Sequence, residues 1–152
     1  KEEKGNILFT GKTGLGKTFL SNCIAKELIE RCFSVVYLPA VEMYEIFSRD
    51  RFANDATDED RDRSQYLLEC DLLIIDDLGT ELTNSFVSSQ LFLCINERIM
   101  RRKSTIISTN LKLENFSDTY SERTFSRIAS NYRMVKLEGK DIRIQKIFLG
   151  GK

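Results

Sequence analysis

The chain has 152 residues, enough for one domain with a buried core, and 41% hydrophobic and 30% charged residues place it among ordinary water-soluble globular chains. Its 23 basic and 23 acidic side chains cancel, which excludes strong attraction to nucleic acid by charge alone. There is no histidine, and Cys23, Cys32, Cys70 and Cys94 show no C-x-x-C spacing, so histidine acid–base chemistry is excluded and a zinc site is not expected. Three of these cysteines fall in apolar contexts, which reads as buried free thiols in a reducing cytosol. The longest apolar run, Leu72–Ile75, is far too short to cross a bilayer, and no charged-then-apolar leader opens the chain.

In chain order, a strand beginning by about Asn6 follows Lys1 so abruptly that a domain cut from a longer protein is expected. Asn6–Thr10 reads as a buried strand, followed by a glycine-rich turn and a helix from about Lys17 to Arg31. Ser34–Leu38 is a second strand, stopped by Pro39, and a helix runs through Val41, Tyr44, Ile46 and Phe47. Arg49–Arg63, mostly charged, reads as a mobile surface loop or frayed helix ends. Leu72–Ile75 is the third strand, and Ser85–Arg101 a long amphipathic helix with Val87, Leu91, Cys94 and Ile95 inward. Ser104–Thr109 is the fourth strand, short helices cover Leu113–Tyr120 and Glu122–Asn131, and Arg133–Leu137 is the fifth strand. Short apolar strands alternating with helices predict an α/β fold, a five-stranded parallel sheet flanked by helices. Ligands in such sheets bind beyond the carboxyl ends of the strands, where the glycine-rich turn, Asp76 and Asn110 all fall.

Charge is unevenly spread. Residues 39–81 carry 4 basic and 13 acidic side chains, whereas residues 82–152 carry 13 basic and 6 acidic. That polarity suits head-to-tail packing of an acidic face on the basic edge of another copy, and equally suits a solvated acidic loop.

Gly11-Lys12-Thr13-Gly14-Leu15-Gly16-Lys17-Thr18 matches G-x-x-x-x-G-K-[ST] at every defined position, between a strand and a helix as that motif requires. Backbone N–H groups in this P-loop can turn inward around phosphate oxygens, and the following helix adds its positive end. ATP or ADP with Mg²⁺ is therefore the expected ligand: Gly11 to Thr18, with Phe19 after them, form the nucleotide-binding set, Lys17 reaches the β and γ phosphates, and Thr18 ligates magnesium. Leu72-Leu73-Ile74-Ile75-Asp76-Asp77 has the form of a Walker B strand, with Asp76 holding magnesium through water and Asp77 polarising the attacking water. A capping role is the alternative for Asp77. Ser108-Thr109-Asn110 ends the next strand, and an amide there can orient the same water or touch the γ-phosphate; a plain turn residue is its alternative. Glu122-Arg123-Thr124-Phe125-Ser126-Arg127 places two arginines at i and i+4 on one helix face.

In this order, Gly11–Thr18, Asp71–Gly79 with its Asp-Asp-Leu-Gly ending, Ser108-Thr109-Asn110 and Glu122-Arg123…Arg127 resemble the AAA+ helicase-loader family, the DnaC/DnaI-like proteins and their transposition relative IstB. The resemblance spans about residues 5–147. It implies a cytoplasmic bacterial ATPase of P-loop NTPase fold that binds the replicative helicase and loads it onto single-stranded DNA. It also makes Asn110 the sensor I residue and Arg127, supported by Arg123, an arginine finger completing the ATP site of an adjoining copy. In this family a separate N-terminal segment grips the helicase, and the expectation here is a fragment lacking that segment. A full AAA+ helical lid is likewise not expected within Gly139–Lys152, where Arg143 is the nearest candidate for the sensor II arginine.

Single-stranded DNA has two candidate surfaces in the sequence. One is the Arg49–Arg63 region with Tyr44, Phe47 and Phe52 as stacking aromatics, against their alternative as core residues; the other is Arg101-Arg102-Lys103 at a helix end. A small-molecule kinase is disfavoured, since its Asp50-Arg51-Phe52 triplet lies in a charged loop and no arginine-rich lid is present. A nucleotide-switched binding module with little turnover, and an IstB-like transposition helper, share every motif named above.

Overall fold

Five short runs of β-branched and apolar residues form the strands of the computed structural model, which describes residues 5–53 and 55–149. They are β1 Asn6–Thr10, β2 Val35–Pro39, β3 Leu72–Leu78, β4 Ser104–Thr109 and β5 Tyr132–Lys136. All pairings are parallel, in the spatial order β2-β3-β4-β1-β5. The helices are α1 Lys17–Glu30, α2 Ala40–Phe52, α3 Asp58–Glu69, α4 Ser85–Met100, α5 Leu113–Tyr120, α6 Glu122–Asn131 and α7 Ile142–Leu149. The expected five-stranded parallel sheet with flanking helices is the fold observed.

Alternation along the strands divides the core. Leu8, Leu73, Ile75 and Ile107 face one side and pack with Met43, Phe47, Leu91, Ile95, Phe116 and Ile128 from α2, α4, α5 and α6. Phe9, Leu72, Ile74 and Ile106 face the other and meet Ala25, Ile24 and Leu28 of α1. The stripe Val87, Leu91, Cys94, Ile95 is buried as its spacing predicts.

Two sequence expectations are corrected. The charged stretch read as a mobile loop or frayed helix ends contains α3, and Asp50-Arg51-Phe52 lies within α2 rather than in a loop. Thr57 caps α3, its hydroxyl accepting from the Asp60 amide while the Asp60 carboxylate accepts from the Thr57 amide. The cysteines also divide. Cys70 and Cys94 are buried, but Cys23 and Cys32 are exposed. Burial pushes the Cys94 thiol up to about 12, so it is inert at neutral pH.

The ladder brings the functional segments together. Thr10 pairs with Thr109, so the chain leaves β1 into Gly11 beside the point where it leaves β4 into Asn110. On the other side of β4 the register slips: Ile75 pairs with Ile107, but Leu78 pairs with Thr109. The extra residue on β3 is a bulge that falls on Asp76 and Asp77 and turns their side chains apart. Asp76 is 4% exposed, whereas Asp77 is exposed, at φ +54°.

Candidate functional site

The cleft above the carboxyl ends of β1, β3 and β4 is about 620 Å³, lined by P-loop residues, Asp77, Asn110 and Arg143. Gly11, Gly14 and Gly16 all have positive φ, so the loop closes on itself ahead of α1. At Gly14 glycine is required twice over. Its φ is +80°, and a Cβ there would lie 2.1 Å from the Asp141 carboxyl carbon.

Lys17 is 5% exposed and donates from Nζ to the Gly11 carbonyl at 2.7 Å, the Lys12 carbonyl at 2.9 Å and Asn110 Oδ1 at 2.7 Å. Burial lowers its pKa, an effect the nearby carboxylates of Asp77 and Asp76 oppose and the Arg143 charge reinforces. Asp76 is held by three hydroxyls. Thr18 Oγ1 donates to Oδ2 at 2.9 Å, and Tyr37 and Ser108 donate to Oδ2 and Oδ1. Burial alone would raise the Asp76 carboxyl, but these hydrogen bonds outweigh it and the net shift is downward. The Tyr37 phenol moves the other way, raised by burial and by the carboxylate it serves.

Thr18 and Asp76 thus offer a hydroxyl and a carboxylate, hard oxygens of the kind magnesium takes. Among the described residues no group of three or more acidic or cysteine side chains could make an all-protein metal cage. The donor set therefore fits an ion that keeps most of its water and phosphate ligands. Phe19, 70% exposed, and Ile142 add apolar surface to the cleft beside the polar loop, with Asn22 also in its lining.

Lys17, Thr18, Asp77 and Asn110 line one cleft, and Asp76 bonds Thr18 at its base. Arg123 and Arg127 do not enter it; both are exposed on α6. The Arg123 guanidinium stacks 4.5 Å from the centroid of the Phe92 ring, while Arg127 has no ion pair among the described residues. Arg143 enters the cleft from α7, whose start docks on the P-loop through the Ile142 amide donating to the Gly14 carbonyl at 3.0 Å.

Base stacking by Tyr44 and Phe47 is overturned: each is 6% exposed and part of the core. The Phe52 side chain lies outside the described residues. Of the basic triplet, Arg101 pairs with Glu97 and Glu69 and Lys103 with Asp71, leaving Arg102 without an ion pair among the described residues. Sequence reasoning missed Tyr37 and assigned no separate part to Ser108. Ser108, 0% exposed beside Asp76, follows the apolar pair Ile106-Ile107, and a hydroxyl at that point of the strand is the clue the sequence offers.

A family model described as IstB-like ATP binding protein matches residues 1–147. The replicative helicase loader DnaC of Escherichia coli (strain K12) is 28% identical over 131 residues, covering 84% of this chain and 53% of that protein. A protein of insertion sequence IS232 from Bacillus thuringiensis subsp. berliner is 23% identical over 152 residues, covering 97% of this chain and 59% of its own length. The chain therefore spans little more than half the length of these relatives. A crystal structure of the DnaC helicase loader superposes with a TM-score of 0.77 at 23% identity, covering 90% of this chain and 80% of that one, which supports the fold.

Proposed function

The chain belongs to the IstB-like ATP-binding family, and from that premise we propose that it is a magnesium-dependent ATPase that loads a replicative helicase onto single-stranded DNA. The observation that carries the chemistry is the double link across the cleft: Lys17 to Asn110 at 2.7 Å, and Thr18 to Asp76 at 2.9 Å. P-loop, Walker B strand and β4 are thereby joined at the place a triphosphate would occupy.

Each residue follows from its position. Lys17 exchanges a carbonyl or the Asn110 amide oxygen for β and γ phosphate oxygens, so phosphate arrival releases Asn110 to orient water. Thr18 and Asp76 hold magnesium, which when bound neutralises charge on the phosphates. Asp77, exposed at the cleft and turned out by the bulge, is the base that takes the proton of the attacking water. Arg127, extended into solvent, is offered to the site of an adjoining copy, and Arg143 to the chain's own site. Self-association through the ATP site then completes the active centre, and an arginine so placed contributes roughly 10³–10⁵ in rate in phosphoryl transfer.

Similarity to a helicase loader supports the replication reading. Similarity over 97% of the chain to an insertion-sequence protein favours the second, a transposition helper. Two experiments decide. Lys17→Ala should abolish nucleotide binding in a calorimetric titration; unchanged affinity refutes the P-loop assignment. Pull-down with the full-length protein should recover a hexameric helicase, and recovery of a transposase instead establishes the second reading.

A further inference from the structure

Glu81 is half-buried just beyond the exit of β3, and its carboxylate joins segments 39 residues apart. One oxygen accepts from the Gly79 amide at 2.9 Å, and the other accepts from the hydroxyl of Tyr120, which is 1% exposed. Gly79 sits at φ +99° against Leu111, whose Cγ would lie 2.6 Å from any Cβ there, so this exit has little room to shift alone. Thr80 Oγ1 donates to the Asp77 carbonyl at 2.9 Å, the Asp77 amide to Ser108 Oγ at 3.0 Å, and Thr109 Oγ1 to the Leu78 carbonyl at 2.6 Å. The backbone that aims Asp77 is thus fixed by side chains at each step, and Glu81 holds its outer end.

On the far side of Glu81, Tyr120 is the last residue of α5. The next residue, Ser121, has φ +139° and caps α6, its hydroxyl accepting from the Thr124 amide at 3.3 Å. The same helix carries Arg127. A third group faces this carboxylate: Tyr44 of α2, whose hydroxyl is buried in the field of Glu81. Glu81 therefore stands between two tyrosines, and Tyr120 donates to it directly.

We propose that Glu81 is a positioning residue which, through Tyr120, couples the β3 exit bearing Asp77 to the start of α6 bearing Arg127. The carboxylate of a chain's own site and the arginine it offers to an adjoining site then respond to nucleotide together. The coupling rests on the ATPase reading for its purpose, but its mechanics are testable separately.

The test is amide hydrogen exchange on the full chain, comparing wild type, Glu81→Gln, Tyr120→Phe and Tyr44→Phe, without nucleotide and with ADP or a non-hydrolysable ATP analogue. Without nucleotide, Glu81→Gln and Tyr120→Phe should speed exchange at residues 121–125 about tenfold, as loss of a hydrogen bond to a charged group implies, while Tyr44→Phe leaves it unchanged. With the analogue, residues 78–81 and 121–125 should gain protection together in wild type, and residues 78–81 alone in Tyr120→Phe. In turnover, both Glu81→Gln and Tyr120→Phe should lower kcat about tenfold while KM and ADP affinity stay within about twofold. Unchanged exchange at 121–125 in both variants overturns the coupling, whether or not the protein hydrolyses ATP. A fall in kcat that merely tracks lost ADP affinity overturns the positioning role. Failure of the wild type to bind ADP would instead refute the ATPase reading, with nucleotide-free exchange still deciding the coupling. If Tyr120→Phe does not fold, Glu81→Gln, which keeps size and one acceptor, decides alone.

Discussion

Gly14→Ala tests how the end of the chain is held to the P-loop. A Cβ at Gly14 would fall 2.1 Å from both Cγ and Oδ1 of Asp141 and 2.3 Å from its Oδ2, at a backbone φ of +80°. The left-handed backbone alone costs a non-glycine residue about 1 kcal/mol. Asp141 must also swing away, and its Oδ1 is the acceptor for the Arg143 amide at 2.8 Å and the Ile144 amide at 3.4 Å at the start of α7. Losing that cap costs about 1 kcal/mol more. The expected destabilisation is about 2 kcal/mol, which lowers the melting temperature by roughly 4–8 °C for a domain of this size. Scanning calorimetry measures it, and a nucleotide titration should show weakened binding as Arg143 leaves the cleft. Asp141→Ala loses only the cap and opens the space that the alanine methyl needs. The double variant should therefore be less destabilised than the two singles would suggest, by about 1 kcal/mol. Strict additivity would refute the steric argument, because it would mean that the two side chains do not meet.

Arg98→Met should be the most damaging change outside the cleft. Arg98 is fully buried and donates to the carbonyls of Leu67 at 2.6 Å and Cys70 at 3.2 Å, to the Ser104 carbonyl and to Thr105 Oγ1 at 2.9 Å. Orphaning these acceptors costs about 3 kcal/mol or more, read as a melting temperature lower by roughly 10 °C; a change below about 2 °C would contradict it. Asp71 ties the starts of β2, β3 and β4 together, and hydrogen bonds from the Ser34 amide, Lys103 and the Ser34 hydroxyl hold its carboxyl at about 2 rather than 3.8. With the folded value below the ordinary one, its stabilisation is complete above about pH 4 and is lost as pH falls towards 2. The gap in urea midpoint between wild type and Asp71→Asn should therefore narrow from pH 5 to pH 2.5, and a constant gap would count against it. Tyr37→Phe removes one of three hydroxyls from Asp76. It should weaken ADP binding about fivefold with magnesium present and leave binding in chelator unchanged, the loss of about one hydrogen bond; equal weakening in both would assign Tyr37 to the fold instead.

The P-loop, the β3 carboxylates and Asn110 could be read from the sequence because each lies in one local turn, where spacing fixes geometry. α3 was hidden because only Ser64 and Leu67 of its 12 residues are buried, leaving little apolar period to detect; the Thr57–Asp60 cap was its one local mark. Arg98 continues the stripe of Val87, Leu91, Cys94 and Ile95, and its charge alone argued against burial until Leu67, Cys70, Ser104 and Thr105 are seen around it. Tyr37 and Glu81 each bond a residue 39 positions away, so only the folded strand order and helix packing make their partners adjacent.

The arginines of α6 show how physical context separates residues that periodicity makes equal. Arg123 and Arg127 share one helix face four residues apart, and spacing alone cannot rank them. The Phe92 ring takes Arg123 at 4.5 Å, which anchors α6 to α4 within the same chain and uses the cation where it stands. Arg127 keeps its charge free among the described residues, on a helix whose start is fixed by Ser121 and, through Tyr120, by Glu81. A long cation rooted at its base and unpaired at its tip loses little on reaching an adjoining nucleotide, and a cation already stacked must first give up its ring. The proposed division, with Arg123 anchoring and Arg127 reaching, therefore rests on the ring that holds Arg123.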